Sequence, residues 1–138
     1  MKKSLFLIGL LLSFISFSAC SSSDDKISSP IVGTWITSDV METSEITFNS
    51  NGTATENRTL KRNGAMREYV GTYGVVNNKL TINWKKYRDF NSVSREWSNY
   101  TNDEETVIIT FSIKDDMLIF LSMDGEKEQN PIYHTRKK

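Results

Sequence analysis

Of 138 residues only one is cysteine, one histidine and two proline, and 17 Lys+Arg are balanced by 17 Asp+Glu. A lone cysteine has no partner for a disulfide within the chain. With a single imidazole beside it, the chain also cannot assemble a His/Cys zinc site. Zero formal net charge argues against nucleic acid as a partner, since such binders carry a basic excess. Catalytic signatures are missing as well: there is no Gly-x-Ser-x-Gly elbow, no P-loop and no His-Glu-x-x-His. A triad would depend on His134 alone, which reads instead as a strand residue beside Trp35 or Arg136. The acidic groups Glu104-Glu105, Asp115-Asp116 and Asp124/Glu126/Glu128 match no calcium loop and read as solvated hairpin ends. No enzyme, cofactor or metal is therefore expected. What remains, 25% charged and 38% apolar residues over a length that suits one domain, is a folded globular composition.

The first residues read as an address. Met1-Lys2-Lys3-Ser4 is a short basic start, and Leu5 to Phe17 is an almost unbroken apolar run. This is the n-region and h-region of a secretory signal, shorter than the ~20 residues of a permanent membrane span. Small residues then precede the sole cysteine, in Phe17-Ser18-Ala19-Cys20. That junction resembles the lipobox of bacterial lipoproteins, with Phe17 standing where the family usually has leucine. The resemblance implies removal of residues 1–19 and acylation of Cys20, giving an extracytoplasmic protein held to the outer membrane by acyl chains without a transmembrane helix. Two or more chains make such anchoring durable, where one gives only marginal binding. Residues 20–30 read as the lipidated cysteine and a flexible polar tether. Its acidic residues resemble the surface-export signal of Bacteroidota lipoproteins; a plain linker would leave the domain facing the periplasm.

Residues 31–138 read as a run of hairpins. Asn51-Gly52, Asn63-Gly64, Asn77-Asn78, Asp115-Asp116 and Asp124-Gly125 supply turn chemistry. Between them lie short stretches rich in β-branched and aromatic residues. Strands are predicted at 31–38, 43–50, 53–61, 66–76, 79–87, 105–113, 117–123 and 130–136, with a further one near 93–98. Alternation puts Leu80, Ile82 and Trp84 on one face, and Val107, Ile109, Phe111 and Ile113 on another. Met117 to Leu121 is apolar on both faces, which predicts a strand covered on both sides. Eight or nine strands joined by tight turns predict an all-β fold, a small up-and-down antiparallel barrel, with a β-sandwich as the alternative.

Gly33-x-Trp35 opens the first strand and Arg136 lies near the end of the last. Together with the meander, these residues resemble lipocalin-like domains and the small lipocalin-like lipoproteins of Bacteroidota, over about residues 31–136. The resemblance implies that Trp35 plugs the barrel base beside Gly33 while Arg136 packs over it. The domain is shorter than a typical lipocalin, and no helix follows its last strand.

Two surfaces are candidates for function. Large inward residues predict a mostly filled core with a shallow pocket at one end. A small apolar or amphipathic ligand is expected there, on Tyr73, Trp84, Phe111 and their neighbours. Residues 84–100 collect aromatic and cationic side chains around a longer connection, where Trp97 and Tyr100 could grip a glycan or a protein. A filled barrel serving as a display platform for that segment is the alternative function. A monomer is expected. Loss of residues 1–19 takes Lys2 and Lys3 with it, so the balance of 17 against 17 becomes 15 against 17, a net −2.

Overall fold

The computed structural model describes residues 29–124 and 126–138, with side chains outside 126–129. Cys20, the expected signal peptide and most of the expected tether lie outside the described residues. The described chain is all-β, and its strands run β1 Gly33–Ser38, β2 Glu42–Phe48, β3 Thr53–Leu60, β4 Met66–Val76, β5 Lys79–Asn91, β6 Glu96–Trp97, β7 Thr101–Lys114, β8 Met117–Met123 and β9 Glu126–Arg136.

Every long strand pairs antiparallel with its neighbour in the chain, and β9 returns to pair with β1 through Trp35↔Arg136 and Ile36↔Thr135. The result is a closed eight-stranded up-and-down barrel, with the two-residue β6 attached outside the ring to β5. A sandwich is excluded by this closure, which leaves no long unpaired edge in the ring. Local chemistry explains the tight corners. Asn77 and Asp115 take the left-handed backbone at the β4–β5 and β7–β8 turns, at φ 56 and 55, a conformation short polar side chains tolerate. Register shifts at Val70/Gly71, Trp84/Lys86, Thr110/Phe111 and Phe120/Ser122 bend the strands around the ring.

The two ends of the barrel differ. Strand directions put the turns at 49–52, 77–78 and 115–116, and both ends of the described chain, at one end. That end is filled by Ile31, Trp35, Phe48, Leu80, Phe111 and Leu118, all buried. We call it the base, and the opposite end the mouth. Alternation along β5, β7 and β8 places Leu80, Ile82, Trp84, Ile109, Phe111, Leu118 and Phe120 inside. The expectation for 117–121 is corrected on one point. Only Leu118 and Phe120 are buried, while Met117 and Leu121 are 36% and 37% exposed on the outer face. A single-layer barrel has nothing outside it to cover them.

Strands β5 and β7 run further than their sequence patterns predict, to Asn91 and from Thr101. Alternation stops carrying an apolar signal there, because the extension is held by cross-strand pairs on exposed faces. Arg67 and Asp89 form a two-pronged ion pair, Nε to Oδ1 at 2.7 Å and Nη2 to Oδ2 at 3.1 Å. Arg88 binds Glu68 at 2.8 Å on the other face.

Candidate functional site

The base is sealed by one stack. Trp35 is fully buried, and its indole N–H donates to the carbonyl of Ile31 at 2.8 Å. The Arg136 guanidinium sits 4.1 Å from the centre of the Trp35 ring, a cation–π contact. The same guanidinium donates to the carbonyls of Val32 at 2.9 Å and Pro30 at 2.7 Å. Gly33 makes room for it: at φ +134, a Cβ there would lie 2.5 Å from Nη1 of Arg136. Gly33 and Trp35 on β1 and Arg136 on β9, about a hundred positions away, thus form one plug held by the β1–β9 pairing.

Toward the mouth the barrel is not filled. A cavity of about 390 Å³ opens there, walled on its apolar side by Ile46, Ile82, Trp84, Ile109 and Phe120. Its polar side is a network that the strand patterns did not single out. Glu56 is 8% exposed, yet its carboxylate is well supplied with donors. Ser44 donates to Oε1 at 2.7 Å, and Arg58 donates through Nε to Oε1 at 2.8 Å and through Nη2 to Oε2 at 3.1 Å. The Arg58 guanidinium also lies 5.1 Å from the Tyr69 ring centre. A buried carboxylate is tolerated only with such partners.

His134 completes the wall. It is 4% exposed, its ring lies 4.4 Å from that of Phe120, and Nδ1 is buried with no hydrogen-bond partner among the described residues. It therefore lines the cavity, two positions along β9 from the Arg136 that stacks on Trp35. Burial pushes its pKa below the ordinary 6.5, and the opposing pull of the Leu118 backbone, the Glu56 charge and the Ile132 backbone only partly offsets this.

The sign of the pH effect follows. The unfolded chain takes up a proton at His134 near pH 6.5 while the folded chain resists it, so folding weakens as pH falls below that value. Among the described residues the charged groups around the cavity are Glu42 on β2, Glu56 and Arg58 on β3 and Glu105 on β7. An imidazole in the unfolded chain titrates between pH 7 and 5, the window in which the loss is expected. We expect His134→Phe to abolish the stability loss between pH 7 and 5 in denaturant titrations. At pH 7 it should leave stability unchanged or raise it by about 1–3 kcal/mol, the cost of one buried unpaired polar atom. A variant with the same pH slope as the parent would show that His134 is not the titrating group.

The sequence-predicted residues separate into three places. Trp84 lies in the cavity wall. Tyr73 and Phe111 do not line the mouth cavity but are packed toward the base, a correction to the pocket expected from alternation alone. Tyr73 stacks edge-on against Phe48 at 4.9 Å, and its hydroxyl bonds the carbonyl of Asn49 in a base turn. Inward alternation is the same at both ends of a strand and cannot tell base from mouth.

Trp97 and Tyr100 lie on the outside, on the extension formed by β4 to β7. Arg88 covers both, 4.6 Å from the Trp97 ring and 4.8 Å from the Tyr100 ring, and Lys86 sits 4.3 Å from Tyr100. The Tyr100 hydroxyl donates to Glu68, which already binds Arg88. The cations of this face are engaged with its own aromatics and acids.

Ser44, Glu56, Arg58 and His134 were missed for a physical reason. The inward face of Thr53–Leu60 reads Ala54, Glu56, Arg58, which has the look of a solvated face. The one clue was parity, because Glu56 lies two residues from the buried Ala54. Comparisons with protein-family models, with curated proteins and with solved structures find no match to this chain.

Proposed function

We propose that this is a non-catalytic, lipid-anchored lipocalin-like binding module that takes a small amphipathic molecule into its mouth. The observation that carries the reading is the cavity of about 390 Å³, closed below by the Trp35–Arg136 plug and walled by apolar side chains facing a polar set. Binding sites of small molecules combine these features, and their volumes begin near 300 Å³. An unfilled mouth also weighs against a barrel acting only as a display platform. Catalysis gains no support from Ser44, whose hydroxyl is committed to a carboxylate that Arg58 already holds.

The anchor rests on the Cys20 junction. Chain entry at the base, with Ile31 buried there, would let a tether from Cys20 hold the plug toward the outer membrane and the mouth away from it. Native mass spectrometry of protein purified from its source membrane should find a co-purifying small molecule. Loss of that mass on Trp84→Ala is expected, and a parent protein without any adduct would sink the reading. Cys20→Ser should move the protein from the membrane to the soluble fraction; retention at the membrane would show that Cys20 is not the anchor.

A further inference from the structure

The cavity's charges and unmet hydrogen bonds specify more than its volume does. Among the described residues three carboxylates line it, those of Glu42, Glu56 and Glu105, against a single guanidinium, Arg58. Two of the three nitrogens of that guanidinium are already committed to an anion. Its Nε and Nη2 both point at Glu56, in a two-pronged pair that fixes its plane. A carboxylate-headed ligand would have to displace Glu56, leaving that buried charge without its partner, or enter a site whose remaining charge is negative.

Acceptor capacity, by contrast, is left over. Among the described residues Oε2 of Glu56 takes one hydrogen bond, and Ser44 Oγ donates one and accepts none. A carboxylate oxygen or a hydroxyl has room for another donor. Spare acceptors in a wall whose described charges sum to a negative value ask for a positively charged donor, and the apolar wall of Ile46, Ile82, Trp84, Ile109 and Phe120 asks for a hydrocarbon body. The volume holds about a dozen non-hydrogen atoms, taking each as the ~30 Å³ of one water.

We infer that the mouth cavity selects a short single-chain amphiphile with a protonated amine head and rejects the carboxylate-headed kind. This rests on the proposed binding reading and names its ligand class. The ammonium lies against Glu56 and Ser44, and the chain runs along Trp84 and Phe120.

Calorimetric titration of the purified chain at pH 7 with octylammonium, octanol and octanoate tests it. Octylammonium should bind tightest, at least about tenfold tighter than octanoate, with octanol between them. Glu56→Gln removes a negative charge and frees Arg58, so the preference for octylammonium over octanoate should shrink. Octanoate binding as tightly as octylammonium to the unaltered chain overturns the head-group assignment while leaving the binding module standing. Octanol matching octylammonium overturns the charge assignment in the same way. Failure of all three probes to bind overturns this inference and the binding reading together.

Discussion

Trp35→Ala is expected to lower the free energy of unfolding by about 3–5 kcal/mol, the range for truncating a buried tryptophan. Three losses coincide at this position. The largest fully buried side chain leaves a void at the base, the Ile31 carbonyl loses its indole donor, and Arg136 loses the ring beneath it. Domains of this size have only about 5–15 kcal/mol in total, so the variant should melt well over 10 °C lower. Trp35→Phe is the informative companion. It keeps an aromatic face for Arg136 but no N–H, and should lose less than half as much. The comparison to make is urea titration of the three proteins with slopes checked for equality. A Trp35→Ala midpoint close to the parent's would mean that the base tolerates a void and that the plug is not a keystone of the barrel.

Gly71→Ala should be comparably severe, for an opposite reason. Gly71 lies buried at the register shift between β4 and β5, paired with Trp84. A Cβ there would fall on the carbonyl oxygen of Asn83, and would stand 2.9 Å from both the Asn83 carbonyl carbon and the Trp84 Cα. All of these are backbone atoms, which no rotamer change can move aside. Overpacking a core side chain costs about 1–3 kcal/mol, and a clash with backbone should exceed that range. The same strand supplies its own control. Gly74 has nothing within 4 Å of its would-be Cβ, so Gly74→Ala should be neutral or stabilising by up to about 1 kcal/mol. Soluble yield and thermal midpoint of the pair decide the matter. Equal behaviour of the two variants would remove the bulge at Gly71 as a determinant of barrel curvature.

Much of this fold is legible in the sequence, and the reasons are local. Strands 66–76 and 117–123 coincide with their predicted limits because turn residues bracket them on both sides: Asn63-Gly64 and Asn77-Asn78 for the first, Asp115-Asp116 and Asp124-Gly125 for the second. Where the bracket is absent, boundaries drift. The second half of β5 and the first residues of β7 carry charges on both faces, and pairing there depends on the Arg67–Asp89 and Arg88–Glu68 partners on β4. Such partners become neighbours only after the strands have paired.

The cavity was the hardest part to anticipate. Trp84 could be placed inside by alternation with Leu80 and Ile82, but its polar neighbours could not. Glu56 and Arg58 read as surface residues until β2 brings Ser44 to the same wall. His134 shares its face with Ile132 and Arg136, where a single apolar residue shows no period. Burial of these groups is a property of the closed ring, in which the seam between β1 and β9 joins residues about a hundred positions apart.

The three tryptophans occupy three distinct surroundings: Trp35 under a guanidinium in the base, Trp84 in the cavity wall and Trp97 on the outer face against Phe90. The molecule therefore carries its own optical reporters. With two of the three replaced by phenylalanine, the emission of the remaining indole reports a single region. Trp84 alone would report occupancy of the mouth, Trp35 alone the integrity of the base, and Trp97 alone events on the outer extension. One protein scaffold can thus follow ligand entry and unfolding separately, by colour, with no dye attached.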